Sequence, residues 1–441
     1  MTNPPPPAPR RALLTRLGIP PTLAWGYLGL LLFMIGDGVE SGYLSPYLIG
    51  RGIPESRVAL LFTVYGIAAA LAAWLAAVLA DLWGPRRVMG CGLAVWTAFQ
   101  ILFLTTALPL ANYPLMLLAY GLRGLGYPLF AYGFLVWIAA VTPRARLGTA
   151  MGWFWFAFTG GLPTLGSLTA GALIPRIGAY ATLWAALALV AAGGLTALLL
   201  VRDRHGAPRP RTAGEGPLAA LAGSVTILWR NPRVGAGSLV RVINTASQFG
   251  FLVILPVHFT TTVGFTLTTW LHLLSAMFAT NIAANLLFGV LGDRLGWRRT
   301  IAWCGGAGCA LSTLLLYYVP TAAGPNVPLA LLVAAFYGAT LAGYVPISAL
   351  MPSLEPRHKG QALAALNLGA GASTFVGPAV VAAFAGPLGT EGVVWIFAGM
   401  YAVSCALTHF LKLPGAPDRA APAHPAAAPH PTPAPAGKDL R

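Results

Sequence analysis

Two acids and one arginine stand where hydrocarbon is expected, and their types and spacing can move a proton. The first apolar run contains Gly36-Asp37-Gly38-Val39-Glu40, with Tyr43 and Tyr47 beyond it. Asp37 and Glu40 are three positions apart, so a helix presents both on one face, extended by the tyrosines. Two close carboxylates away from water raise each other's proton affinity, which suits a group that loads and releases H+. Arg123 lies in the fourth apolar run, within Tyr120-Gly-Leu-Arg123-Gly-Leu-Gly126-Tyr127. That run is antiparallel to the first, and Arg123 comes at a depth similar to Asp37. Pairing with either Asp37 or Glu40 is therefore open to it, and arrival of solute or proton would compete with the pair. A static salt bridge holding helices together is the competing reading. Charges inside a bilayer are costly, so all three residues are candidates for function.

Amides and aromatics supply a second chemistry. Arg241, Asn244 and Gln248 share one face of the seventh run at i, i+3, i+7, Asn281 and Asn285 are spaced i, i+4 in the eighth, and Asn367 lies in the eleventh. With Tyr43, Tyr127 and Trp153 they suit a neutral polyhydroxylated solute, amides bonding hydroxyls and rings covering C–H faces. Hydrogen bonding between helices is the alternative for each amide. Arg241 is placed about five residues from the end of its run, where a long side chain snorkels to water, and reads as structural. His272 falls on the opposite face from Asn281.

The elements that position these residues are membrane helices. Of 441 residues 57% are hydrophobic and 9% charged, and the mean hydropathy is +0.72, against about 25% charge in a water-soluble domain. Runs of ~20 apolar residues recur about twelve times between residues 25 and 412. The formal charge of +16 does not point to nucleic acid, because its placement is one-sided. With the N-terminus in the cytoplasm, Arg10, Arg11, Arg86, Arg87, Arg144, Arg146, the connector arginines, Arg294, Arg298, Arg299, Arg357 and Lys359 all fall inside, and Arg51, Arg57 and Arg176 outside. That is the positive-inside pattern, and it predicts both termini in the cytoplasm. The four cysteines lack metal-ligand spacing, and no G-x-S-x-G, H-E-x-x-H or G-x-x-x-x-G-K-[ST] occurs, so neither enzymatic chemistry nor ATP drive is expected.

The chain is also duplicated. Gly289-Val-Leu-Gly-Asp293-Arg-Leu-Gly296-Trp-Arg298-Arg299 reappears 212 positions earlier as Ala77-Val-Leu-Ala-Asp81-Leu-Trp-Gly84-Pro-Arg86-Arg87. The expected layout is a tail over 1–24, a six-helix half over 25–201, a cytoplasmic connector over 202–235 with a short helix near Leu218–Trp229, a second six-helix half over 236–412, and a Pro/Ala-rich tail over 413–441 that cannot bury a core.

The Gly289–Arg299 segment resembles the signature loop of the major facilitator superfamily, with Ala77 and Ala80 departing from it in the first copy. The resemblance implies an all-α fold of twelve transmembrane helices in two pseudo-symmetric halves. It also implies a cytoplasmic latch in which Asp81 and Asp293 meet a helix end or an arginine, while Arg86, Arg87, Arg298 and Arg299 brace the inward side. The bland alternative is that these arginines only anchor the topology. A narrower resemblance, over about residues 20–412, is to the polyol permease branch: Gly36-Asp37-Gly-Val-Glu40, Tyr120–Phe130, Gly152-Trp153-Phe-Trp155, Val240-Arg241-Val-Ile-Asn244-Thr and Glu355-Pro-Arg-His-Lys359-Gly360 carry it. It implies proton symport of a sugar alcohol such as ribitol or arabinitol across a bacterial inner membrane. Asp37, Glu40 and Arg123 would serve the proton, no cofactor beyond the proton gradient is implied, and nothing demands more than a monomer. The same fold moving an organic anion, attracted by Arg123 and Arg241, or exporting a drug for protons, is the rival.

Overall fold

The computed structural model describes Leu14 and residues 19–142, 147–201, 217–355 and 359–412. Both tails and most of the connector thus lie outside the described residues. Among the described residues, ten segments are long and apolar enough to cross a bilayer. We label the helices α1 Pro21–Gly50, α3 Pro85–Ala107, α4 Tyr113–Val141, α5 Ala150–Ile177, α6 Ala179–Leu200, α7 Pro232–Val263, α9 Trp297–Ala323 and α10 Val327–Leu354. Helix α2 is Glu55–Trp83, and α8, Leu267–Leu295, lies between α7 and α9 and is not one of those ten. The last segment is continuous by hydrogen bonding but turns at Gly389, which divides it into α11 (359–388) and α12 (390–408). A connector helix, Pro217–Arg230, precedes α7. Leu71, Leu118, Leu199, Leu287 and Leu332 are among many large apolar residues left exposed, as lipid-facing helices require.

The duplication runs deeper than the arginine loops. Every described residue with positive φ has a partner 211–213 positions away: Gly52 with Gly264, Gly84 with Gly296, Ala111 with Gly324, and Gly178 with Gly389. Each pair turns the chain between corresponding helices. Asn112 and Asn326 likewise cap α4 and α10, accepting from the backbone N–H of Leu115 and Leu329. An N-cap acceptor satisfies one of the amides that a helix start leaves bare. Both halves therefore use the same backbone solution at the same places.

Small residues set how closely the helices cross. On α1, Gly29 and Gly36 meet Gly193 and Val190 of α6, while Gly38 meets the backbone of Leu162 in α5. There α5 widens into a π segment, Gly160–Leu165, around Pro163, which lacks an N–H to give the ladder. With these contacts α1 turns Asp37 and Glu40 away from α5 and α6 toward α3 and α4. A side chain at position 38 would overlap backbone that cannot yield. Gly38→Val is expected to lower stability by about 3 kcal/mol or more, read as loss of monodisperse protein and a lowered midpoint in thermal unfolding. An unchanged midpoint would show that this crossing does not need glycine.

Candidate functional site

Glu40, not Asp37, is the partner of Arg123. The guanidinium forks onto the carboxylate, Nη1 donating to Oε2 at 2.7 Å and Nη2 to Oε1. Nη1 also donates to Gln100 Oε1 on α3 at 2.6 Å. Arg123 is fully buried and its guanidinium carbon lies 4.4 Å from the ring centre of Tyr120, 4.9 Å from Trp96 and 5.3 Å from Tyr65. Ring faces attract a desolvated cation, and a bidentate carboxylate supplies the opposite charge in the geometry arginine prefers.

Asp37, also buried, accepts from Trp96 Nε1 at 2.6 Å through Oδ1, and Tyr65 faces it as well. Its direct partners are neutral donors. The two acids that look equivalent in sequence thus differ: Glu40 is locked to a cation, whereas Asp37 can change protonation without breaking an ion pair. Tyr127, half-buried, stacks on Tyr65 with ring centres 6.3 Å apart and so borders the same cluster. Trp96, Gln100 and Tyr65 escaped the sequence reading, and Tyr120 entered it only as part of the motif around Arg123; Gln100, a lone amide in an apolar run, and its i−4 neighbour Trp96 were visible there.

The remaining predicted residues do not converge on this cluster. Tyr43 is wholly buried and donates to Ala179 O at 3.0 Å, so its hydroxyl ties α1 to the start of α6. Asn281 donates to Gly338 O at 3.0 Å, tying α8 to α10. Trp153 is half-buried, edge-on to Phe156 at 5.6 Å. Asn285 is half-buried and Asn367 exposed. On α7, Asn244 is buried with its Oδ1 unmatched by any protein donor. Gln248 borders a small cavity otherwise lined by apolar groups such as Phe251, Trp270 and Met277. Helix α7 begins at Pro232 rather than 236, so Arg241 is its tenth residue.

In the second half, the place of Arg123 is taken by Tyr337, counted from the matching Asn112 and Asn326 caps. Its hydroxyl meets Ser247 Oγ at 2.7 Å and Tyr401 Oη at 3.3 Å, and Tyr401 donates to the Asn244 carbonyl at 2.9 Å. A neutral hydroxyl network occupies the position that is charged in the first half.

The arginine loops act alike in both halves. Arg86 donates to Leu198 O at the end of α6. Arg298 donates to Thr408 O at 3.4 Å and His409 O at 3.2 Å, at the end of α12. The last carbonyls of a helix have no internal partners and carry partial negative charge, so a cation there is favoured. Arg87 and Arg299 are exposed; the side chains of Asp81 and Asp293 lie outside the described set.

Side-chain hydrogen bonds between the halves gather on the opposite face or at mid-depth. Ser45 donates to Val253 O at 2.6 Å, Trp270 to Gly42 O at 2.9 Å, Ser275 to Thr164 O at 3.1 Å and Thr374 to Gly66 O at 2.9 Å. The halves are clasped away from the arginine loops. Trp270→Phe removes one clasp bond, worth about 1 kcal/mol net, and is expected to raise the unclasped population roughly fivefold. Spin labels on cysteines placed at Gly50 and Thr266, with the native cysteines replaced, would gain a longer distance; an unchanged distribution would count against the clasp.

Two similar helical bundles that bury charge between their spans and clasp each other on one face are the construction of a membrane transporter. Residues 26–271 and 237–440 each match the Major Facilitator Superfamily model, and the chain belongs to that superfamily. It is 45% identical over 402 residues to the alpha-ketoglutarate permease of Bacillus subtilis (strain 168), covering 91% of this chain and 92% of that one. It is 39% identical over 398 residues to the D-arabinitol transporter of Klebsiella pneumoniae, covering 90% and 94%. In three dimensions it is similar to a variant of the nucleoside transporter NupG, with a TM-score of 0.69, 16% identity, and 88% and 99% coverage. The protein is a multi-pass membrane transporter and not an enzyme.

Proposed function

We propose that the protein takes up a small linear polyol by proton symport, through alternating access between its two halves. The observation that carries the proton assignment is the buried pair of acids with unlike partners. Arg123 pairs with Glu40 through a two-point fork, while Asp37, held by neutral donors, is the group that takes and releases the proton. Solute then binds between the halves, against Tyr127 on one side and Asn244 and Gln248 on the other. The basic loops face the cytoplasm of a bacterial cell, with both termini on that side, so the clasped face is external and this conformation is inward-facing. The proton gradient is the only driving force, and a monomer suffices.

The polyol assignment draws on the residues shared with the polyol permease branch and on the relative named as a D-arabinitol transporter. An organic anion is the second reading, supported by the relative named as an alpha-ketoglutarate permease and by Arg241, the tenth residue of α7. Uptake of labelled ribitol, arabinitol, sorbitol and mannitol into proteoliposomes, with and without an inward proton gradient, tests the proposal. Gradient-dependent accumulation of at least one polyol is expected. Absence of polyol counterflow in vesicles that exchange another solute overturns the substrate class.

A further inference from the structure

The second half holds a guanidinium for which the described residues provide no anion. Arg241 is half-buried; its Cβ packs beside Gly369 of α11, and Tyr132 of α4, in the other half, lies near enough to act on it electrostatically. From Val234 to Gly292 and from Thr300 to Leu354 the sequence has no Asp or Glu. The two acids at membrane depth in the first half are taken, Glu40 by Arg123 and Asp37 by Trp96. A cation at membrane depth is costly unless an anion or water meets it. One helical turn further, Asn244 is 6% exposed and its Oδ1 accepts from no protein donor. Gln248 follows on the same face, so the three residues span about 10 Å of the helix axis. A cationic fork, a free amide acceptor and a second amide in a row match a chain with a carboxylate at one end and hydroxyls along it.

We propose that Arg241 binds the carboxylate of a transported solute, with Asn244 and Gln248 taking its hydroxyls, so that the protein carries linear polyhydroxylated acids of the aldonate type in preference to the uncharged polyols. The planar guanidinium matches a carboxylate through two parallel hydrogen bonds. Asn244 Oδ1, an acceptor, takes a hydroxyl proton and repels the carboxylate, which sets the direction of the chain. This rests on the reading above that solute binds between the halves.

The test is counterflow in proteoliposomes of wild type, Arg241→Lys and Arg241→Gln, with ribitol, ribonate and succinate as probes. Wild type is expected to exchange ribonate with a KM about tenfold or more below that for ribitol. Arg241→Gln is expected to cut the ribonate-over-ribitol preference by about 10- to 100-fold, the range for losing charge-assisted hydrogen bonds. Arg241→Lys should keep part of it, having the charge without the fork. Ribitol exchange without ribonate exchange, or a preference unchanged in Arg241→Gln, overturns the assignment. So does exchange of succinate alone, since it has the carboxylates and lacks the hydroxyls. Ribonate exchange that depends on Arg241 with no ribitol exchange sinks the polyol reading and leaves this one standing.

Discussion

Asp37→Asn is expected to abolish proton-driven accumulation, by about 100-fold or more, while counterflow of the same solute stays within roughly threefold of wild type. An asparagine keeps the oxygen that accepts from Trp96 Nε1 and leaves the ion pair between Glu40 and Arg123 untouched. What it removes is the ability to change charge. Counterflow needs only the solute-loaded halves to exchange faces, whereas accumulation needs a proton to be taken up on one side and given up on the other. Measuring both in one preparation of proteoliposomes separates the two. Accumulation at the wild-type level in Asp37→Asn sinks the assignment of Asp37 as the proton group, whatever the substrate.

Arg123→Ala is expected to destabilise the protein by about 3–5 kcal/mol, because it strands a buried carboxylate. Glu40 is 2% exposed and Arg123 fully buried, so neither can turn to water once its partner is gone. Glu40→Gln alone strands the cation and is expected to cost a similar amount, softened by the three rings around it. Combining Glu40→Gln with Arg123→Met removes both charges and should recover most of the thermal midpoint in detergent. Transport should not recover, because the buried charge beside Asp37 is gone. If the double variant melts no higher than the singles, the pair is not the source of the stability. If it transports normally, the pair has no part in coupling.

Much of this architecture was legible in the chain. Apolar runs of the right length marked the helices, because a bilayer leaves backbone polar groups no partner but their own helix. The repeated Asp81 and Asp293 loops disclosed two halves, and the halves do match, down to positive-φ turns at Gly52 and Gly264, Gly84 and Gly296. Helix ends were less legible. Apolar composition placed the start of α7 at 236, but Asn231 caps it and Pro232 opens it, local signals that a hydropathy window passes over. That shift makes Arg241 the tenth residue of its helix rather than about the fifth.

The site divided along a sharper line. Composition and spacing by themselves determined that Asp37 and Glu40 share a face of α1, that Arg123 is available at similar depth, and that Arg241, Asn244 and Gln248 form a row on α7. The shared faces depend on neighbours within two helical turns, and helical periodicity carries them; the depth of Arg123 follows from its count along an antiparallel run. Only the tertiary structure decided which acid Arg123 takes, since Glu40 and Asp37 differ by less than one turn and the choice depends on how α1 is rotated against α3 and α4. Glycine contacts of α1 with α5 and α6 set that rotation. The same holds for Trp96 and Gln100, which lie 59 positions from Asp37 and 23 from Arg123, and for Tyr43 and Asn281, whose polar groups went to the backbone of neighbouring helices. A polar side chain inside a membrane bonds the first suitable group it meets. Which group that is depends on the packing of helices far apart in sequence.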